Sequence, residues 1–303
     1  MPRALLLVAL LAPAAASAET HRSKPTTVVA KVPKPLLPAS AAGAGVGVLV
    51  GDLTWPEAEK VLTADRVIVL PLGAGAKEHG PHLLLRNDAI LADYLARALL
   101  AARPVALLPE LPYAFYPSFL EYPGSVSLSF DTQRDMVAEI CRSIAGYGPR
   151  RFYVLNTGVS TARPLAATAE ALAREGILLR FTDILAALKP VEDSVRQQAY
   201  GSHADEIETS MILYMEPAAV RMERAVADGG VVRPGPLTRD PANTDGHYSP
   251  SGVFGDPTLA TRQKGERLTA GLLDAILKDI DGLARAPLPA GRPRSPLDAA
   301  PSP

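Results

Sequence analysis

The sequence predicts an α/β fold, a three-layer α/β/α sandwich built on a mostly parallel sheet. Short runs at residues 67–71, 105–109, 152–156 and 177–181 are apolar at consecutive positions rather than alternate ones. Longer segments of helical period separate them. Strands apolar on both faces belong to parallel sheets, whose crossover helices cover both sides. A dense polar block, "GAGAKEHGPHLLLRND" at residues 73–88, leaves the carboxyl end of the first of these strands. That is where open α/β sheets bind ligands.

In chain order, the first segment to explain is 1–18. It holds one cation, Arg3, an unbroken apolar run from Ala4 to Ala12 and the small-x-small triplet Ala16-Ser17-Ala18. These are the parts of a secretory signal peptide cut after Ala18. The run falls short of the roughly 20 apolar residues that a membrane span needs, and Pro13 interrupts it. The expectation is export to a periplasmic or extracellular compartment, with no membrane association after cleavage. Residues 19–46 alternate Pro, Ala, Ser, Thr and Lys without a period and read as a flexible lead-in. One domain is expected over 47–283, with helices at 55–62, 89–101, 132–145, 162–173, 205–214 and 264–280. Past it, "APLPAGRPRSPLDAAPSP" has too little apolar area to offset its ordering entropy. Residues 284–303 are therefore expected to be a disordered Pro-rich tail.

Composition narrows the functional classes. The formal net charge is −1, with no Lys/Arg cluster to mark a nucleic-acid or anionic-membrane surface. A single cysteine, Cys141, cannot pair within the chain, so stability is left to a core, for which a 48% hydrophobic share is ample.

Chemistry concentrates around the histidines. His21 falls in the lead-in, whereas His79, His82, His203 and His247 sit in dense polar segments rather than on apolar helix faces. His79 and His82 flank Gly80-Pro81, a stiff turn that can aim two imidazoles at one point. Asp88 stands at the start of the next helix, where it suits either an N-cap, which Asn87 could share, or a metal ligand. Imidazole and carboxylate in fixed geometry are what a divalent transition ion requires. A phosphate-cradling loop is excluded on detail, because Gly73-x-Gly75 lacks the third glycine and no Gly-Lys-Ser/Thr follows.

The block "PLGAGAKEHGPHLLLRND" resembles the signature of the creatininase family of amidohydrolases, with His79-Gly80-Pro81-His82-Leu83 matching directly and the spacing to Asp88 kept. Further segments agree in order. "YPGSVSLS" at 122–129, "HADEIETSMIL" at 203–213 and "SPSGVFGDPTLAT" at 249–261 are each similar to a family segment. The resemblance implies a divalent metal centre of one or two ions, zinc, manganese or iron. It also implies Glu78, His79, Asp88 and Glu208 as ligands, with Asp88 bridging where two ions are bound, and His203 as the proton carrier. The implied reaction is hydrolysis of a C–N bond in a small or cyclic amide, and the implied assembly is a homo-oligomer, commonly a hexamer.

Departures from the family pattern accompany the matches. Lys77-Glu78-His79 stands where the family has Glu-Gln-His, which moves the acid one place nearer the histidine, and Lys77 cannot serve as that ligand. In "LNTGVSTARP" Gly158 occupies the position of a family histidine, and only Asn156 remains of that set. His82, Asn156 and His203 are candidate substitutes, and His247 suits either the substrate mouth or a surface loop. Asp205-x-x-Glu208 also reads as a capping box, with Asp205 and Glu206 expected in solvent. Two functional classes stay open: a metal-dependent amidohydrolase, or a non-catalytic protein that uses the same scaffold to bind a small molecule or a partner.

Overall fold

Five parallel strands form the central sheet in the order β1-β3-β2-β4-β5. They are β1 (Val48–Leu49), β2 (Val67–Leu72), β3 (Ala106–Leu107), β4 (Arg151–Asn156) and β5 (Leu178–Phe181). The helices are α1 (Trp55–Val61), α2 (Asn87–Ala102), α3 (Phe130–Ala145), α4 (Ala162–Ala173), α5 (Ile184–Glu192), α6 (Glu206–Met215) and α7 (Arg262–Arg285). A separate pair, β6 (Leu237–Thr238) and β7 (His247–Tyr248), is also parallel. The computed structural model describes residues 47–229, 233 and 235–293. The expected signal peptide and lead-in lie outside the described residues, as do 294–303 of the tail.

The consecutive apolar runs have a direct structural reading. Side chains alternate across a strand, and β2 sends Val67 and Val69 to one core and Ile68, Leu70 and Leu72 to the other. In β4, Tyr153 and Leu155 join the first core while Phe152 and Val154 join the second. The first core is closed by Leu95 and Leu99 of α2, Ile207 and Met211 of α6, and Leu272 and Ile276 of α7. Val137 of α3 and Leu165 and Leu172 of α4 close the second. This is the expected three-layer sandwich. β2 and β4 pair along their whole length, from Val67 opposite Arg151 to Leu72 opposite Asn156, so their carboxyl ends finish side by side.

The differences from expectation are local. β3 is shorter than the run at 105–109, yet Leu108 and Leu111 still donate backbone hydrogen bonds to Val69 and Pro71, keeping that chain beside β2. α5 has no counterpart in the sequence reading, because Pro190 interrupts its pattern; its buried Ile184 and Leu188 hold it on the core. α2 begins at Asn87, so Asn87 and Asp88 lie in its first turn and neither is the N-cap. The opening of the Pro-rich tail is held by side chains of β4 and the residue before it: Arg151 donates to the Ala286 carbonyl and Arg150 to that of Gly291. Among the described residues no helix is long and apolar enough to cross a membrane.

α6 and α7 cross at Gly265, where a Cβ would stand 1.8 Å from the Ser210 carbonyl oxygen. Gly265→Ala is therefore expected to destabilise the fold by about 2 kcal/mol or more, as overpacking does. Urea unfolding with an unchanged m-value would check it.

Candidate metal centre

The turn from β2 to α2 is fixed at several points before any functional side chain is considered. Gly73 passes so close to α2 that a Cβ would meet the Asp88 carbonyl at 2.6 Å. Ala89 donates to the Ala74 carbonyl and Lys77 to that of Leu85, which folds residues 73–88 back on themselves. Gly80, with φ of 66°, supplies a left-handed bend open mainly to glycine.

The other family-like segments close over this turn. Val126 donates to the Ala76 carbonyl, and Ser125 Oγ accepts from the Glu78 amide at 2.9 Å. Tyr122 donates its hydroxyl to the Ser249 carbonyl at 2.6 Å. His203 and Phe254 exchange backbone hydrogen bonds, tying residues 203–213 to 249–261. Gly252 lies against Glu78 so closely that a Cβ would stand 2.1 Å from Oε1. Segments far apart in the chain thus converge on Glu78 and His79.

At the centre, His79 is 1% exposed. Its Nδ1 is 2.9 Å from the Lys77 carbonyl oxygen and its Nε2 is 2.8 Å from Asp88 Oδ1. A carbonyl and a carboxylate both accept, so with Nδ1–H donating to Lys77 the Nε2 lone pair faces Asp88 across a gap that needs a proton or a metal ion. His203 has a similar surround, with Nε2 3.1 Å from Glu78 Oε2 and Nδ1 3.8 Å from Glu208 Oε2. One ligand atom each from His79, His203 and Glu208 lies within 4.8 Å of the other two. Ligand atoms around a tetrahedral ion at 2.0–2.1 Å are ~3.3 Å apart, so modest adjustment suffices. Each imidazole also has the partner expected behind a metal ligand, a backbone carbonyl for His79 and the Glu78 carboxylate for His203.

The expected ligand set is thus redistributed. His79 and Glu208 are in the compact group, and His203, expected as the proton carrier, stands among the ligand atoms with them. Glu78 backs His203, and its Oε1 accepts from the Gly80 amide. Asp88 faces His79 on one side and the Lys77 ammonium, 2.7 Å away, on the other. Burial is the largest influence on Asp88 and pushes its carboxyl up, but Lys77 and His79 together outweigh it and hold it well below the usual range. For His203, burial is again the largest single influence and favours the neutral ring, while Glu78 and Glu208 prevail and raise its pKa.

Glu208 does not complete the expected capping box, because its carboxylate reaches past the N-cap to the preceding amide. Asp205 is the N-cap of α6 and accepts from the Ile207 and Glu208 amides, while the Glu208 carboxylate accepts from the Ala204 amide at 2.6 Å. The expectation of solvated Asp205 and Glu206 is overturned, since both are buried. Burial and the Glu208 charge push Asp205 up to about 6, and Glu206 pairs with Lys264.

Of the candidate substitutes, Asn156 is spent on its own loop: its Nδ2 donates to the Gly158 and Thr182 carbonyls, and its Oδ1 accepts from Thr161 Oγ1. It is unavailable as a ligand. His82 is fully buried against Thr209 Oγ1 at 2.8 Å. Burial first, then the charge of His79, lower its pKa to about 4. The volume beside Gly158 is filled, because a Cβ there would meet Thr161 Oγ1 at 2.8 Å and the Tyr116 ring at 3.1 Å. His247 is buried rather than on a surface loop, packed on Phe254 at 4.5 Å, with Nε2 lacking a partner among the described residues.

A cavity of about 360 Å³ opens on this centre. His203, Glu208, Lys77 and His247 line its polar part, and Phe119, Ile184, Leu188, Met211 and Leu237 its apolar part. α5 supplies two of those apolar residues, so the helix missed in sequence builds a wall of the site. Its apolar face was the available signal.

Comparison with known proteins agrees with the convergence. A sequence profile described as "Creatinine amidohydrolase", of the creatininase family, matches residues 51–280. The mycofactocin precursor peptide peptidase of Mycobacterium tuberculosis is 28% identical over 242 residues, covering 77% of this chain and 91% of that protein. The creatinine amidohydrolase of Pseudomonas putida is 26% identical over 258 residues, covering 77% and 97%. A creatininase crystal structure superposes with a TM-score of 0.67 at 24% identity, over 80% of this chain and 99% of that one. A creatininase mutant described as the zinc–zinc type superposes at 0.65 and 23% identity, over 79% and 99%.

In metal-free protein, His82 is expected to titrate by NMR with a midpoint near 4. An unfolded histidine takes its proton near 6.5, so this residue's contribution to stability is complete above that pH and is lost as pH falls toward 4. Gly158→His is expected to destabilise the fold by about 1–3 kcal/mol in thermal or urea unfolding, because the volume it needs is occupied.

Proposed function

Because this chain belongs to the creatininase family of amidohydrolases, we propose that it is an exported, metal-dependent enzyme that hydrolyses a C–N bond in a small or cyclic amide. The observation that carries the proposal is the gathering of His79, His203 and Glu208 ligand atoms within 4.8 Å, at the edge of a cavity. When bound, a divalent ion of the zinc, manganese or iron class supplies a Lewis acid for an amide carbonyl and makes water acidic near neutral pH.

The chain's own residues do the rest. The Lys77 carbonyl and the Glu78 carboxylate orient the two imidazoles. Phe119, Ile184, Leu188 and Met211 exclude water and receive the apolar part of a substrate. A volume of about 360 Å³ lies near the lower end of the range for ligand sites, which favours a compact amide over a long peptide. His247 Nε2, buried and without a partner among the described residues, is placed to bond a polar group of that substrate. Export rests on the signal-like residues 1–18, and hexamer assembly on family resemblance alone.

A second role for His203 is favoured by Glu78, whose contact makes the ring more basic and suits it to carry a proton to the leaving nitrogen. Non-catalytic binding on this scaffold is favoured by Gly158, which stands where the family has a histidine.

Elemental analysis of protein purified without chelator is expected to show bound zinc, manganese or iron. His79→Ala and Glu208→Gln should each weaken that binding at least tenfold and abolish turnover of a cyclic-amide panel. His203→Asn should also weaken binding; unchanged metal content with lost turnover would assign His203 to proton transfer alone. Metal-free protein, or full turnover after exhaustive chelation, would overturn the proposal.

A further inference from the structure

Lys77 is 4% exposed, an unusual place for an ammonium. Its Nζ lies 2.7 Å from Asp88 Oδ2, and it faces the rings of Phe119 at 4.9 Å and Tyr116 at 5.3 Å. The same residue lines the cavity on which the metal centre opens. Lys77 therefore engages one Asp88 oxygen, Oδ2, while Oδ1 faces the His79 Nε2 lone pair at 2.8 Å.

Charge counting gives this arrangement a meaning. Glu78, Asp88 and the half-buried Glu208 bring three negative charges into one cluster, and Lys77 brings one positive charge. With both imidazoles neutral, one divalent ion makes the cluster neutral, whereas two would leave it with a net charge of about +2 away from bulk water. The count is of the groups in contact at the centre: of the nearby acids, Glu206 is neutralised by Lys264, and Asp205 is turned to the α6 amides and Gln198 rather than to the imidazoles. Gly158 offers no side chain toward a second ion, and Thr161 and Tyr116 fill the space that such a side chain would need. The relative described as a zinc–zinc type shows that this fold accommodates two ions elsewhere.

We propose that the Lys77 ammonium is a resident counter-cation for Asp88, which limits the centre to one divalent ion per chain. The inference rests on the metal-dependent reading above and adds its stoichiometry. Lys77 is thus a positioning residue: its ammonium holds Asp88 and its carbonyl orients the His79 ring, without ligating the ion.

The test is zinc titration of chelator-stripped full-length protein, read by native mass spectrometry and by elemental analysis after desalting. Wild type is expected to saturate at one zinc per chain. Lys77→Arg, which keeps the charge, should do the same. Lys77→Gln should either bind its first zinc at least tenfold more tightly or retain a second. Two zinc ions per wild-type chain would overturn the inference and leave the metal-dependent function standing. No zinc on wild type would overturn both. A Lys77→Gln protein matching wild type in stoichiometry and within twofold in affinity would also overturn it. Should that variant fail to fold, wild-type stoichiometry alone decides.

Discussion

The site depends on one electrostatic constraint: two buried carboxylates, the half-buried Glu208 and two buried imidazoles lie together, and such a group persists only with compensating positive charge. Lys77 supplies part of it. The rest falls at the gap between acceptors, where His79 Nε2 faces Asp88 and His203 lies between Glu78 and Glu208. A divalent ion there would complete the charge balance and satisfy the histidine lone pairs together. The segments that close over the β2–α2 turn can be understood as the structure needed to hold that charge out of water.

The fold places the charge with little strain. Strands β2 and β4 end in register, so their loops emerge side by side at the carboxyl edge of the sheet. The first turn of α2 carries Asp88, where the helix dipole favours a carboxylate. α6 starts on Asp205 and presents Glu208 one turn in. Backbone strain at a non-glycine residue is confined, among the described residues, to Ala204 with φ of 50°, immediately after His203. Its amide is the donor that holds Glu208, which is what the unusual conformation secures.

Much of this was legible in the sequence because it rests on local pattern. Runs apolar at every position announced a sheet buried on both faces, and the His-Gly-Pro-His turn announced the site. Asp88 was harder, since an acid at a helix start suits a cap or a ligand equally, and only the observed start at Asn87 frees it from capping. α5 was hidden by Pro190 and is held by tertiary packing of Ile184 and Leu188. Lys77 was legible as a departure from the family pattern, but its pairing with Asp88 depends on how residues 73–88 fold back, which no spacing rule reveals. Asn156 and Gly158 are explained by Thr161 and Tyr116, partners whose relevance appears only in three dimensions.

The most direct test of a cation completing this buried cluster is a crystal structure of metal-loaded protein, with anomalous difference maps recorded on both sides of the metal's absorption edge. The account predicts one peak per chain within bonding distance of His79, His203 and Glu208, with Lys77 still paired to Asp88. A map without a peak among those three residues, or with the ion bound elsewhere, would contradict it.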